Sequence, residues 1–236
     1  MLFISFELHA HEVLGVAGLV GAGRSELGAA LFGLSKKLEG DVFFDGKSFD
    51  PRSPAEAIRR GLCLLPEDRK SEALFPQMSV LENASIVVVQ QMRLARSGYE
   101  AEQVDSLLQD RLAVSAKPDV AISTLSGGNQ QKIIFARWLL AEPRVLFLDE
   151  PTRGIDVNTK EQMYGIIDDF AAQGKGVILV SSELPELWRC CGRILVLHEG
   201  RQAGIVIPEE STQEDVLRLA TGTHMAGRAG ADSEPV

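Results

Sequence analysis

The residues from Gly18 to Ser25 have the types and spacing that bind a phosphate chain. Their order fits the pattern G-x-x-x-x-G-K-[ST] at every defined position except the lysine, which is Arg24 here. In such a loop the glycines let the backbone curl around an anion with its N–H groups inward, and the serine hydroxyl binds Mg²⁺. The expected nucleotide contacts in this loop are Gly18, Gly21, Ala22, Gly23, Arg24, Ser25 and Glu26.

Arg24 is the departure from the phosphate-binding pattern. Lysine is a compact point charge that reaches between the β- and γ-phosphates, whereas arginine is a bulky planar fork. Two interpretations follow: Arg24 is an equivalent phosphate binder, or it weakens or alters nucleotide handling. We favour the second.

Two carboxylates, Asp149 and Glu150, follow the apolar segment 145–148. Beside a phosphate loop, Asp149 would hold Mg²⁺ directly or through water, next to Ser25, and Glu150 would polarise an attacking water. Acidic residues often end buried strands, so the pair carries little information alone. Its combination with the phosphate loop predicts phosphate chemistry.

A second candidate anion site lies in the sequence Leu-Ser-Gly-Gly-Asn-Gln-Gln at 125–131. Gly127 and Gly128 would begin an amphipathic helix and expose its first N–H groups, with the Ser126 hydroxyl beside them. Taken alone, Ser126 is equally well explained as an ordinary helix cap.

Composition bounds the class of protein. The 236 residues suffice for one large α/β domain or a core with a small satellite, and 45% hydrophobic and 24% charged residues predict a packed core. A net charge of −9 argues against a nucleic-acid binder. Without a bilayer-length apolar run or a signal-peptide pattern, we expect a cytosolic location. The three cysteines are expected to be buried thiols, and the four histidines have no metal-ligand spacing.

The elements that must position these residues alternate between apolar strands and helices, which predicts an α/β fold with a parallel sheet. An antiparallel pair is expected at 1–8 and 12–17. Further strands are expected at 41–44, 62–65, 145–148, 176–180 and 193–197. Helices are expected at 53–60, from 79 to about 112 with a break near residues 97 and 98, and at 126–139, 159–172 and 183–189. In the first of these, Ser53 can cap the helix and Pro54 suits its first position.

The phosphate loop, the acidic pair and the sequence 125–131 together resemble the ABC ATPase family, from about Ser5 to Leu219. The resemblance implies a P-loop NTPase fold: a RecA-like parallel sheet core, an N-terminal antiparallel β subdomain and a helical satellite subdomain. It further implies one nucleotide-binding domain over 1–220, with the helical subdomain at about 78–125 and a disordered tail at 221–236. ATP and Mg²⁺ are the implied ligands.

Three segments resemble the second, C-terminal half of ribose-, xylose- and galactose-type sugar importer ATPases: 66–70, 129–132 and 151–156. In that family Ser126, Gly127 and Gly128 would form the signature, which contacts ATP held by a second cassette domain, and Asp156 would lie in the loop that communicates across the pair. Glu67 stands where most members carry glutamine. Ser182 stands where a catalytic histidine would contact the γ-phosphate.

The resemblance implies two partners and no nucleic acid. One is a second cassette domain, expected to be a missing N-terminal half of the same protein, although a short natural domain is the alternative. The other is a transmembrane sugar permease at the cytoplasmic face of the membrane, docking near 67–81. The apolar sequence 74–76 fits either that docking site or the core.

The changes at Arg24, Glu67 and Ser182, beside a retained Glu150 and an intact signature, suggest an asymmetric hypothesis. This domain's own ATP site would be degenerate, while its signature completes the site of the partner domain. The alternative is a nucleotide-binding regulatory module that hydrolyses no ATP itself. A soluble ABC protein acting on DNA or the ribosome is disfavoured by the acidic charge.

Overall fold

The computed structural model describes residues 2–35, 40–91, 104, 106–114 and 116–223. A six-stranded sheet runs in the order β4-β5-β6-β1-β7-β8, and a separate hairpin pairs β2 with β3. The strands are β1 Val13–Gly18, β2 Phe43–Phe44, β3 Lys47–Ser48, β4 Leu62–Leu65, β5 Val145–Asp149, β6 Gly176–Val180, β7 Arg193–His198 and β8 Arg201–Val206.

Seven α-helices cover or flank the sheet in the described part of the chain. They are α1 Arg24–Leu31, α2 Pro54–Arg59, α3 Val80–Gln91, α4 Gly127–Leu140, α5 Val157–Ala172, α6 Leu184–Cys190 and α7 Gln213–Ala220. π-Helical turns lie at Arg69–Ala73 and Leu107–Arg111, and 3₁₀ turns at Ile122–Thr124 and Pro208–Glu210.

Local sequence signals explain several helix starts. Ser53 accepts a hydrogen bond from the Glu56 N–H, and Pro54 occupies the first position of α2, as predicted. Ser126 likewise accepts from the Asn129 N–H and begins α4. Asp156 begins α5 by accepting from the Thr159 N–H. Each cap satisfies a helix donor that would otherwise lack a partner.

The carboxyl ends of β5, β6 and β1 lie side by side because these three strands are parallel neighbours. Asp149 pairs in register with Val180, and Val180 pairs on its other side with Val16. The chain leaves these strand ends into the phosphate loop, into Glu150 and into Ser181–Ser182. This sheet edge is therefore where residues distant in sequence meet.

Two hydrophobic clusters stabilise the fold. The main cluster lies against the sheet and includes Phe147 and Phe135, with Phe32 packed edge-to-face on Trp138 at 6.1 Å between ring centroids. The second cluster joins α3, the 107–114 segment, Ile122 and α4. Helix α4 contributes buried side chains to both clusters, so it fixes the position of its own first turn relative to the sheet.

The predicted antiparallel pairing of 1–8 with 12–17 is wrong. Strand β1 has parallel partners on both edges, β6 and β7, so no edge is free for the amino-terminal segment. In the described residues 2–8, Phe3 makes an isolated parallel bridge to Arg201. The antiparallel units are the hairpin β2–β3, which turns at Asp45 and Gly46 with positive φ, and the pair β7–β8.

Strands β4 to β7 and helices α2, α4, α5 and α6 agree with the prediction within a few residues. Strand β8 and helix α7 were not predicted, although a capping box between Thr212 and Asp215 marks the start of α7. The expected break near residues 97 and 98, and the tail beyond 223, lie outside the described residues. Cys63, Cys190 and Cys191 are buried free thiols, as predicted. Within the described ranges, no helix combines the length and apolar character that crossing a bilayer requires.

Candidate functional site

The phosphate loop has an open backbone that suits an anion. Gly21 and Gly23 adopt positive φ angles of 81° and 102°, a region that favours glycine, and Gly23 directly precedes α1. The backbone N–H groups of Gly21, Gly23 and Ser25 donate no hydrogen bond to any part of the chain that the structure describes. Free donors at the positive end of a helix are what a phosphate group requires.

The loop is anchored to the sheet behind it. A Cβ atom on Gly18 would lie 2.7 Å from the Leu197 carbonyl oxygen and 2.9 Å from the Ala22 Cβ, so only glycine fits there. The Gly200 N–H donates to the Ala22 carbonyl at 3.0 Å. The turn between β7 and β8 therefore holds the loop in its curled shape before any ligand binds.

Asp149 lies at the end of β5, almost entirely buried and beside Ser25. Burial raises the pKa of Asp149 to about 6. A hydrogen bond from the Ser25 side chain opposes this rise, and the neighbouring charges of Glu67 and Glu150 add to it. The site thus concentrates carboxylates next to the phosphate loop, an arrangement that a cation stabilises.

Glu150 is engaged by two side chains from other segments. Arg24 Nη1 donates to Glu150 Oε1 at 3.4 Å, and Ser182 Oγ donates to Glu150 Oε2 at 3.1 Å. Burial raises the pKa of Glu150, and the Arg24 charge and the Ser182 hydrogen bonds oppose the rise. Glu150 has φ 49°, a left-handed backbone that its N–H bond to the Val180 carbonyl helps to hold.

A buried polar pair supports the backbone next to Glu150 and Ser182. Thr152 Oγ1 donates to Glu186 Oε1 at 2.8 Å, and a Ser181 side-chain hydrogen bond also reaches Glu186. Oε2 of Glu186 is buried and has no hydrogen-bond partner in the described chain. Glu186, from α6, therefore lies directly behind the two loops that carry Glu150 and Ser182.

Glu67 is near the acidic group but is paired elsewhere. Its carboxylate forms an ion pair with Arg153, which lies three residues after Glu150. It still influences Asp149 and Glu150 through its charge, which raises the pKa of both. Arg153 thus offsets part of the negative charge that Glu67 brings to the position where glutamine was expected.

The signature residues form a second group. Gly127 and Gly128 are the first residues of α4; a Cβ on Gly127 would lie 2.8 Å from Arg69 Nη2, and one on Gly128 would lie 2.8 Å from Thr159 Cγ2. The Thr159 hydroxyl donates to Asp156 at 2.8 Å. Arg69 and Thr159 therefore pack directly against the start of the signature helix.

The structure divides the predicted site residues between these two groups. The first contains Gly18, Gly21, Ala22, Gly23, Arg24, Ser25, Glu26, Glu67, Asp149, Glu150 and Ser182; the second contains Ser126, Gly127, Gly128 and Asp156. Among the described residues, no hydrogen bond or ion pair joins Ser126, Gly127 or Gly128 to the phosphate loop.

Sequence reasoning missed Arg69, Arg153 and Glu186. The first two lie in segments that were singled out as distinctive, but no spacing rule pairs Glu67 with Arg153, 86 residues away. Glu186 has a proline one residue before it and reads as a surface residue of a short helix. Only burial in the folded chain reveals it.

The donors present fit Mg²⁺ held together with a nucleotide. The Ser25 hydroxyl and the Asp149 carboxylate are adjacent oxygen ligands of the kind that Mg²⁺ prefers. In the described ranges, no group of three or more His, Cys, Asp or Glu side chains is arranged to hold a metal ion by itself. The remaining ligands would have to come from phosphate oxygens and water.

The chain is similar in sequence to import ATP-binding proteins. The family model described as ABC transporter matches residues 3–153. A ribose import ATP-binding protein of Geobacillus kaustophilus is 42% identical over 93% of this chain and 45% of its own length. A xylose import ATP-binding protein of the same organism is 43% identical over 93% and 44%. This chain spans about half the length of the curated relatives it matches.

Solved structures share the fold at lower identity. A nucleotide-free ATP-binding cassette from an ABC transporter has a TM-score of 0.78 at 21% identity, covering 91% of this chain and 87% of its own. A cassette in a post-hydrolysis state bound to ADP and Pi has a TM-score of 0.75 at 23% identity, covering 87% and 89%. The predicted P-loop NTPase fold is thereby confirmed. Because the ABC transporter model matches more than half of its residues, the chain belongs to the ABC transporter family.

Proposed function

We propose that this chain is an ATP-binding, energy-coupling domain of an ABC importer for a simple sugar, with ATPase activity in the assembled protein. The observation that carries the proposal is the meeting of the phosphate loop, Asp149 and Glu150 at one sheet edge. The identity of 42–43% with ribose and xylose import proteins supports the sugar class.

The chain's own residues have separate tasks in this proposal. The N–H groups of the phosphate loop bind the phosphates, Ser25 and Asp149 hold the metal, and Glu150 accepts the proton of an attacking water. When bound with ATP, Mg²⁺ would neutralise phosphate charge and polarise the transferred group. Ser182 orients Glu150 through its hydrogen bond.

We propose further that this site is degenerate. Arg24, in the lysine position, forms an ion pair with Glu150. The carboxylate therefore neutralises part of the positive charge that would otherwise attract a phosphate. An ion-paired Glu150 is a weaker base than a free one. The second candidate, a regulatory nucleotide-binding module without hydrolysis of its own, is favoured by this same ion pair.

The partner is proposed to be a second cassette domain, the N-terminal half of a longer protein of which this chain would be the C-terminal half. The coverage of relatives by about half is consistent with such a protein. Ser126, Gly127, Gly128 and Asp156 would complete the partner's ATP site. Val20 in the phosphate loop and Val157 after Asp156 are 96% and 77% exposed, which suits surfaces covered by another domain.

The proposed permease docking region is 67–81 at the cytoplasmic face of the membrane. Phe75 is 43% exposed, and Asn83 holds its backbone by accepting from its N–H and donating to its carbonyl, each at 3.0 Å. An exposed ring on a rigid backbone is suited to docking an apolar helix. The second hydrophobic cluster supports a helical subdomain at about 78–125 within a single domain over 1–220.

The test is single-turnover ATP hydrolysis by the full-length protein carrying either Ser126→Ala or Arg24→Ala. Loss of the signature hydroxyl should lower the rate roughly tenfold or more, as expected for one charge-assisted hydrogen bond. Loss of Arg24 should have a much smaller effect. The exposed Ser48→Ala, on the hairpin, is the matched control. Equal losses from Ser126→Ala and Arg24→Ala would refute the asymmetric arrangement.

A further inference from the structure

Arg69 contacts segments that belong to both groups of site residues, the one around the phosphate loop and the one around the signature. It begins the π-helical turn after the segment that carries Glu67. Its Nη1 donates to the Arg153 carbonyl at 3.0 Å. Its Nη2 lies 2.8 Å from the position of a Cβ on Gly127, the first residue of the signature helix. The guanidinium therefore fills the space between the loop after β5 and the start of α4.

The helix start is also packed at its second residue, Gly128. A Cβ on Gly128 would lie 2.8 Å from Cγ2 and 2.9 Å from Oγ1 of Thr159. Thr159 is held by Asp156, which accepts from both its N–H and its hydroxyl. The two signature glycines thus leave room for two side chains, Arg69 and Thr159, that hold the helix start against the 153–159 segment.

Two local features disfavour the placement of Arg69. Its positive charge lies at the amino end of α4, where the helix dipole is also positive. Its Nε is buried and has no hydrogen-bond partner in the described part of the chain. A cation at a positive helix end with an unsatisfied buried donor is an unfavourable arrangement for the folded domain. Such costs are typical of functional positions.

The contacts of Arg69 lead back to this chain's own nucleotide group. The Arg153 side chain forms an ion pair with Glu67. The Arg153 N–H donates to the Glu150 carbonyl at 3.2 Å. A contiguous set of contacts therefore runs from Glu150 through Arg153 and Arg69 to Gly127.

We infer that Arg69 is a positioning residue that couples this domain's own nucleotide site to its signature. It holds the first turn of α4 at a position set by the loop after β5, so a nucleotide beside Glu150 changes the signature offered to the partner domain. The inference rests on the proposed function. Under this inference the degenerate site has a regulatory role, because a nucleotide bound there would change the rate of hydrolysis at the partner domain's site.

The first experiment follows hydrogen exchange of the backbone amides at 127–129 in the purified chain, with and without Mg-ATP, while calorimetry measures ATP binding. In the wild type, binding should change exchange at these amides. In Arg69→Ala, ATP should bind with unchanged affinity but leave exchange there unaltered. Arg69→Lys, which keeps the charge without the planar fork, should restore only part of the response. The exposed Arg59→Ala on α2 is the matched control and should behave as the wild type.

The second experiment measures single-turnover hydrolysis by the full-length protein. Arg69→Ala should lower the rate by on the order of tenfold, within the usual range of coupling between sites. An equal exchange response in Arg69→Ala and the wild type would overturn the inference, and so would a loss of ATP affinity that matches the loss of rate. Absence of ATP binding to the wild type is a different result, because it would overturn the proposed function itself.

Discussion

The guanidinium of Arg24 donates from Nη1 to Oε1 of Glu150 over 3.4 Å, and the two side chains are only 13% and 7% exposed. The pair joins the residue in the phosphate-binding lysine position to the carboxylate expected to activate water. Burial raises the pKa of Glu150, and Arg24 is the foremost opposing influence. Arg24, a residue of the phosphate loop, therefore also lowers the pKa of the expected base, Glu150.

Arg24→Lys is expected to increase ATP hydrolysis by this domain about tenfold, equivalent to about 1.4 kcal/mol in the barrier. The compact ammonium would leave Glu150 and become available to the phosphates. Calorimetry of Mg-ATP binding and phosphate release, measured on the same samples, checks the prediction. Arg24→Gln is the control without charge and should weaken binding. Hydrolysis that stays the same with lysine and arginine would mean that the ion pair does not limit the site.

Ser182→Ala is expected to shift the pH–rate profile of this site to higher pH. The Ser182 hydrogen bond lowers the pKa of Glu150, so its loss raises that pKa and the base ionises only at higher pH. ATP affinity should change less than about twofold, because Ser182 contacts the carboxylate rather than the loop. Ser182→Thr retains the hydroxyl and should keep the wild-type profile. A uniform loss of rate at every pH would contradict this role.

Glu186→Gln is expected to change how stability depends on pH. Burial raises the pKa of Glu186, and the Glu183 charge adds to the rise. The Ser181 and Thr152 side chains and the Lys160 charge oppose it. Because the folded-state pKa exceeds the unfolded value, this group lowers the free energy of unfolding as pH rises above the unfolded pKa. The variant, which cannot ionise at this position, should therefore gain stability relative to the wild type as the pH rises from 5 to 8. Urea unfolding at the two pH values measures this; a constant difference would exclude it.

Gly28→Ala and Gly165→Ala should have opposite effects on stability. A Cβ on Gly28 in α1 would lie 2.6 Å from the Phe147 ring, so we expect a loss of about 1–3 kcal/mol in the free energy of unfolding. Gly165, inside α5, is exposed and has no atom within 4 Å of its Cβ position. Alanine there should add about 0.5–1 kcal/mol, because it restricts the unfolded chain and favours the helix. Urea unfolding of both variants is the check, and a gain for Gly28→Ala would show that Phe147 can move aside.

The sequence predicted those features that depend only on residues close together in the chain. Continuous apolar runs predicted β4, β5 and β6, because strands covered on both faces need no polar alternation. Ser53 with Pro54, and Ser126 with its two glycines, predicted helix starts, since a cap satisfies donors within three residues of itself. The phosphate loop was equally visible because its chemistry is confined to a few consecutive residues.

Strand pairing and burial that depend on residues far apart in the chain could not be predicted in this way. The amino-terminal segment has strand-like composition, yet β6 and β7 pair with both edges of β1. The segment therefore cannot form the predicted pair with β1. Glu186 belongs to a short helix whose sequence indicates a surface position, but packing against Thr152 buries it. Each outcome depends on which elements become neighbours.

The sequence by itself determined the chemical groups: a loop that binds phosphate, two carboxylates at a strand end, and a glycine-led helix. Only the tertiary structure decided their partners, pairing Arg24 with Glu150 across 126 residues and Glu67 with Arg153 across 86. The physical reason is that a parallel sheet brings together the ends of strands that are distant in the chain, and charged side chains then pair with whatever lies at that edge. Spacing along the chain carries information only about contacts within a loop or a helical turn.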